Sequence, residues 1–132
     1  VGDEPSVHLR DFEPALDVWA NKDLAAKWVK IKAVRKSVLE AIEPLRASKE
    51  LGSSLEAAPA IESEDHDLLE SVNMAEVCIT SQVKLSRGTA KVAIEKAQGD
   101  KCQRCWKILP EVSDNGGLCH RCADVVKQQK AA

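Results

Sequence analysis

Aromatic residues and long apolar runs are scarce in this 132-residue sequence. It has three Trp, one Phe and no Tyr, so a core must be built from Leu, Ile, Val and Ala. No apolar run approaches the roughly 18–20 residues that a membrane-spanning helix needs. Residues 1–5 lack both the basic start and the apolar stretch of a secretory signal peptide. With 44% hydrophobic and 30% charged residues, we expect a soluble globular protein of the cytoplasm with no membrane partner.

Charge is divided unevenly along the chain, although the formal net charge is only −2. From Lys84 onward ten Lys and Arg stand against five Asp and Glu, whereas residues 1–83 carry nine against sixteen. The C-terminal part therefore carries +5 and the remainder −7. A zinc ion with four thiolates would lower the first value to about +3, because such a site carries roughly −2. The imbalance indicates either a polyanionic partner at the basic end or ordinary surface charge.

Hydrophobic periodicity predicts one long helix. Asn21 or Asp23 can cap its start, and Pro44 is expected to kink or stop it near its end. The predicted apolar face consists of Leu24, Trp28, Ile31, Val38, Ile42 and Leu45. Because one amphipathic helix needs a partner surface, residues 1–50 are expected to be the C-terminal part of a larger helical domain.

Shorter elements follow the helix. Strands are predicted at 57–61 and 91–96, with a helical turn around Leu68 and Leu69 between them. Alternating apolar and polar residues over 77–85 predict a further, half-buried strand. The predicted class is α+β, comprising the long helix, a small mixed α/β unit at 51–97 and a four-cysteine zinc ribbon at 98–132.

Two Cys-x-x-Cys pairs carry the clearest chemical signal. Cys102 and Cys105 form the first pair, and Cys119 and Cys122 follow after thirteen residues. Each pair forms a turn with both sulfurs on one side, and zinc accepts four thiolates in a tetrahedron. Residues 115–117, Asn-Gly-Gly, suit a hairpin that brings the second pair back to the first. The sequence therefore predicts one structural zinc ion (Zn2+) held by four cysteines.

Other uses of the cysteines fit less well. Disulfides need an oxidising compartment, a thioredoxin-like motif uses a single pair, and nothing indicates the electron-transfer partner of an iron–sulfur cluster. A catalytic zinc keeps one position open for water, and a fourth thiolate leaves none, so no catalytic residue is assigned. His120 is expected to be a spectator. Cys78, in an apolar stretch, is expected to be a buried free thiol.

Arg104 and Arg121 occupy the same position in their respective pairs. They can offset the charge of the thiolates as outer cations. Alternatively, Arg104 acts with Trp106 and Lys107 on RNA, because an arginine beside an exposed aromatic ring can stack on an unpaired base and contact phosphate. Trp106 can equally pack against the ribbon, so the residue chemistry leaves both interpretations open.

Residues 99–107 (Gly-Asp-Lys-Cys-Gln-Arg-Cys-Trp-Lys) and 118–122 (Leu-Cys-His-Arg-Cys) together resemble the C-terminal zinc-binding segment of bacterial isoleucyl-tRNA synthetases. Three upstream stretches match that family in the same order. Residues 6–12 are similar to part of its helical anticodon-binding domain, and 51–57 to its Gly-x-Ser-Leu-Glu-Ala junction. Residues 91–97 are similar to the strand that leads into the zinc knuckle.

The resemblance implies a C-terminal fragment of a cytoplasmic enzyme that joins isoleucine to its tRNA at the expense of ATP. That family's catalytic motifs, His-Ile-Gly-His and Lys-Met-Ser-Lys-Ser, are absent from this sequence, so the segment alone should not aminoacylate. The implied partners are the anticodon of isoleucine tRNA, contacted by Arg104 and Trp106, and the remainder of the parent synthetase. The loop at 108–117 offers few basic residues and leaves its own contribution open.

Two alternatives remain. The zinc ribbon can serve only to dock within its parent or on another protein. It can also be a DNA-binding finger like that of the formamidopyrimidine-DNA glycosylases, although those usually carry glycine where this chain has Trp106.

Overall fold

The computed structural model describes residues 6–9 and 14–131. Short 3-10 turns at Val7–Leu9 and Asp17–Trp19 precede the long helix. Residues 10–12, which belong to the first of the matching stretches, lie outside the described residues.

Helix α1 spans Lys22–Ala47 and begins as predicted. The side chain of Asn21 accepts a hydrogen bond of 2.9 Å from the Leu24 amide, which satisfies one of the free donors at the helix start. Pro44 lies inside the helix and does not stop it at once, since the helix continues to Ala47. A proline in the last turn removes only one backbone donor, so the cost is local.

The apolar face of α1 is buried over its C-terminal two thirds. Ile31, Val38 and Ile42 are at most 2% exposed. By contrast, Leu24 is 50% and Trp28 36% exposed, because no element of the described residues covers the first turns. The predicted face is therefore correct, but only part of it contacts the rest of the chain.

Three strands form a mixed sheet in the order β2-β1-β3. Strand β1 is Ala57–Ser63, β2 is Lys84–Arg87 and β3 is Lys91–Lys96. β1 pairs in parallel with β2 and antiparallel with β3, and Ile61 faces both Leu85 and Val92 across the sheet. The strands predicted at 57–61 and 91–96 are confirmed.

Two short helices, α2 at His66–Glu70 and α3 at Met74–Cys78, connect β1 to β2. The strand predicted over 77–85 is wrong in its first part, where α3 and a left-handed residue, Ile79 with φ 57°, replace it. Asn73 caps α3 by accepting from the Glu76 amide at 3.2 Å. An asparagine three residues before a glutamate is a helix-start signal, and it prevailed over a short alternation of apolar residues.

One cluster of buried residues joins α1 to the sheet and the short helices. Its members are Ile31, Val38, Ile42, Leu51, Ala57, Ile61, Leu69, Met74 and Cys78. Cys78 is a buried free thiol, as expected, and its burial raises the pKa of the thiol while nearby Arg35 opposes that change. A second, separate cluster surrounds the other four cysteines.

Candidate metal centre

The first cysteine pair lies in the turn between two short antiparallel strands. These are β4, Asp100–Lys101, and β5, Ile108–Leu109. The Cys102 amide donates to the Lys107 carbonyl at 2.8 Å, and the Trp106 amide donates to the Cys102 carbonyl at 2.9 Å. These bonds close the turn tightly, so the sulfurs of the pair are held by backbone geometry.

The second pair returns to the first through a 3-10 helix at Pro110–Asn115 and two glycines. Gly116 and Gly117 have φ of 62° and 82°, in the left-handed region that favours glycine. The Gln103 amide donates to the Gly117 carbonyl at 2.9 Å and so joins the two halves. The predicted hairpin is therefore a 3-10 helix ended by glycines, and it brings the pairs together. Helix α4, His120–Ala131, follows immediately.

The four predicted ligand sulfurs converge. Cys102, Cys105, Cys119 and Cys122 each place Sγ within 4.8 Å of the others, and Sγ of Cys105 is 3.7 Å from Sγ of Cys119. A tetrahedral zinc with bonds of about 2.3 Å requires a sulfur–sulfur edge of about 3.8 Å. Three of these residues are buried and Cys105 is half-buried. The site therefore suits one zinc ion with four thiolates and no open position for water.

Backbone hydrogen bonds and burial change the pKa values of the cysteine thiols in different directions. Burial opposes ionisation of Cys102, but hydrogen bonds from the backbone of Cys105, Cys119 and Arg104 outweigh it and lower the pKa to about 6. Burial instead raises the pKa of Cys105 and Cys119. Because zinc binds thiolates, metal binding must release these protons.

The predicted RNA-contacting residues are on the surface of this turn. Arg104 is exposed, and Trp106 is 62% exposed with φ of 68°. The Lys101 ammonium lies 5.4 Å from the centroid of the Trp106 ring, a cation–π contact. Trp106 therefore does not pack into the ribbon. His120 is exposed at the start of α4, outside the group of clustered sulfurs.

Side chains of the α/β unit hold the zinc module, defined here as residues 100–131. Lys107 forms an ion pair with Glu76 of α3. Ser81 Oγ accepts from the Ile108 amide at 2.7 Å and donates to the Leu55 carbonyl at 2.6 Å. These residues were not predicted from the sequence, because single polar residues far apart in the chain carry no local pattern.

A second group of potential metal ligands, His66, Asp67 and Glu70, lies on α2. Both carboxylates are exposed, and Asp67 already accepts a hydrogen bond from Arg87, which lowers the pKa of that carboxyl. The group therefore has the character of a surface ion-pair network. None of the helices in residues 6–9 and 14–131 combines the length and hydropathy that spanning a membrane requires.

Comparison with known proteins agrees with this geometry. Residues 99–125 match the family described as "Zinc finger found in FPG and IleRS". The chain is 41% identical over 127 residues to an isoleucine–tRNA ligase of Zymomonas mobilis, covering 94% of this chain and 14% of the ligase. Ligases of Bradyrhizobium diazoefficiens and Gluconobacter oxydans are 41% and 37% identical, over 85% and 95% of this chain.

The chain thus spans about one seventh of the length of the relatives it matches, at 13–14%. The resemblance to a segment of the isoleucyl-tRNA synthetases is confirmed, and so is the four-cysteine site suited to one zinc ion. The coverage is consistent with a C-terminal fragment of such a synthetase.

Proposed function

We propose that this chain is the tRNA-recognition end of a cytoplasmic isoleucyl-tRNA synthetase, and that its zinc module contacts the anticodon stem-loop of isoleucine tRNA. The observation that carries the proposal is the exposure of Arg104 and Trp106 on a turn fixed by the four cysteines. The parent would ligate isoleucine to tRNA with ATP in domains outside this sequence. This chain supplies binding and no catalytic residue.

In this proposal Cys102, Cys105, Cys119 and Cys122 ligate one structural zinc ion. When bound, the zinc supplies cross-linking of two chain segments and no reaction chemistry. Among the residues that the structure describes, Val112 is the one buried member of this cluster besides the cysteines, which is too little apolar surface for so small a module to fold alone. The metal would therefore set the rigidity with which Arg104 and Trp106 are presented.

The conformation of Trp106 supports a binding role. Bulky residues rarely adopt positive φ, which costs roughly 1–2 kcal/mol, and such strain is concentrated at functional sites. Here the backbone bonds of the turn enforce φ of 68°, and the ring stays 62% exposed. An exposed ring held in this way is suited to stacking on an unpaired base, which is worth about 1–3 kcal/mol.

Docking within the parent is the second role that a specific observation favours. Large apolar side chains are exposed at the start of α1 and just before it, at 70% for Trp19, 50% for Leu24 and 68% for Val29. We propose that residues 1–50 form the end of the helical anticodon-binding domain and that this surface contacts the remainder of the synthetase. Residues 51–97 and 98–132 are then the α/β unit and the zinc-binding segment.

Titration of an isoleucine tRNA anticodon stem-loop into the isotope-labelled chain tests the RNA role. We expect shifts centred on Arg104 and Trp106, and a loss of about tenfold in affinity for Trp106→Ala. Trp19→Ala and Lys127→Ala are matched controls on other exposed surfaces and should change affinity less than twofold. Tighter binding to duplex DNA at equal salt would favour a DNA-binding finger, whereas no binding to either would favour docking alone.

A further inference from the structure

A groove of about 320 Å³ lies between the zinc module and the turn that precedes β1. Its size is at the lower end of the range for small-molecule sites. The lining residues are Ser53, Leu55, Glu56, Lys101, Trp106 and Ile108. Because both units contribute walls, the groove exists only while the zinc module is docked as described.

The zinc module provides an aromatic surface and a cation. Lys101 on β4 places its ammonium 5.4 Å from the centroid of the Trp106 ring, and both side chains are exposed. The contact of a cation with an exposed ring is weak, so the flexible lysine is available to a phosphate beside the ring.

The opposite wall provides a carboxylate. The Gly52 amide donates to Glu56 Oε2 at 3.0 Å, and the Ala97 amide donates to the Glu56 carbonyl at 2.8 Å. These bonds fix the residue in place. None of the ion pairs within residues 6–9 and 14–131 involves Glu56, so its carboxylate retains acceptor capacity toward a ligand.

We propose that this groove binds one unpaired nucleotide and selects a base with an exocyclic amino group. The base stacks on Trp106, its amino group donates to Glu56, and its phosphate lies toward Lys101. A carboxylate accepts from the amino groups of cytosine, adenine or guanine, whereas uracil presents the O4 acceptor in the corresponding place. This inference rests on the proposed function and adds to it. Glu56 gives the anticodon contact a base preference, and Lys101 gives it an orientation.

The test uses the full chain and two single-stranded pentanucleotides, UUCUU and UUUUU, at equal salt. We expect the cytosine-containing oligomer to bind about five- to tenfold more tightly, in the range of one good base contact. Glu56→Gln retains an acceptor for the Gly52 amide but adds a donor, so the preference should fall below twofold. Glu40→Gln makes the same charge change on α1 and should leave the preference unchanged. Circular dichroism and zinc content of each variant check folding.

Lys101→Gln gives an independent readout. This substitution should weaken binding of both oligomers equally. It should also reduce the slope of log affinity against log salt concentration by about one, as expected for loss of one phosphate contact. A wild-type chain without base preference, or a preference that survives Glu56→Gln, would overturn this inference. If Trp106→Ala still weakened binding of the anticodon stem-loop in that case, the proposed function would be retained and this inference alone would be lost. Absence of binding to every RNA would overturn both.

Discussion

Lys107 and Glu76, 31 residues apart in sequence, form an ion pair that joins the zinc module to α3. The Lys107 side chain is only 18% exposed, so the contact is partly shielded from water. Arg121 of α4 approaches the same Glu76 oxygen at 3.6 Å. The turn between β4 and β5 and helix α4 therefore converge on one carboxylate, and Lys107 directly follows Trp106 in the chain.

Replacing Glu76 should loosen this docking. Since half of the Glu76 side chain is exposed, we expect Glu76→Gln to lower the free energy of unfolding of the zinc module by only about 1 kcal/mol. Faster amide exchange in β4 and β5 would report it. The control is Glu40→Gln, which removes a wider, more exposed pair with Lys36 at 3.7 Å and should cost less than about 0.5 kcal/mol. Equal effects of both variants would contradict the docking role.

Acid should remove the stabilisation that Glu76 gives to the docked zinc module. The hydrogen bond from Lys107 lowers the pKa of Glu76 below its ordinary value of 4.5. A carboxyl whose pKa is lower in the folded than in the unfolded state stabilises the folded state at pH values above the unfolded-state pKa. This stabilisation is lost as the pH falls through the folded-state pKa. The difference in unfolding free energy between wild type and Glu76→Gln should therefore be constant down to about pH 5 and shrink below about pH 4.5. Urea titrations with excess zinc measure it at those pH values at which the zinc content of both proteins is still complete, because loss of zinc would itself remove the docked module. A difference that stayed constant in acid would contradict this.

The sequence predicted the features that depend on local spacing. Ile31, Val38 and Ile42 repeat at the period of a helix, and each pair of cysteines forms a turn regardless of the rest of the fold. The strand at 91–96 was correctly predicted because Val92 and Ile94 stand on one face of it and Lys91 and Glu95 on the other. These patterns sufficed for the fold class and the metal site.

The features that the sequence did not predict depend on contacts between distant residues. Nothing local distinguishes Glu76, Ser81 or Glu56 from other polar surface residues, yet all three lie between the two units. The left-handed Ile79 is likewise imposed by the end of α3, against the preference of a β-branched residue. Orientation of the zinc module therefore required the structure.

Chelation of zinc should unfold the module and spare the sheet. The two buried clusters share no residue, and the cluster of the module consists mainly of its cysteines. With EDTA we expect the amides of Cys102, Gln103 and Trp106 to lose protection from hydrogen exchange, while those of β1 and β3 keep it. Added zinc should restore protection. Loss of protection in the sheet at the same chelator concentration would show that the two cores unfold together.

Shortening the Ile42 side chain of α1 should destabilise the main core and leave the zinc module intact. Ile42 is 1% exposed, so Ile42→Ala should lower the free energy of unfolding by about 2–5 kcal/mol through lost burial and a cavity. Zinc content should not change. Val29, on the same helix but 68% exposed, is the matched control, and Val29→Ala should stay within about 0.5 kcal/mol. Denaturant unfolding measures both, and a small effect of Ile42→Ala would mean that α1 contributes little to this core.

Trp106→Gly should separate RNA binding from stability. Glycine adopts positive φ without the steric cost that Trp106 bears at 68°, and the exposed ring contributes little burial. We therefore expect the free energy of unfolding to be unchanged or raised by up to about 1 kcal/mol. Affinity for the anticodon stem-loop should fall about tenfold. Trp106→Ala removes the same ring but keeps a Cβ at positive φ, so it should bind RNA as weakly and be less stable than the glycine variant. If the glycine variant were instead the less stable of the two, the ring or the backbone at this position would be holding the zinc turn together, and presentation of Trp106 to RNA would not explain its strained conformation.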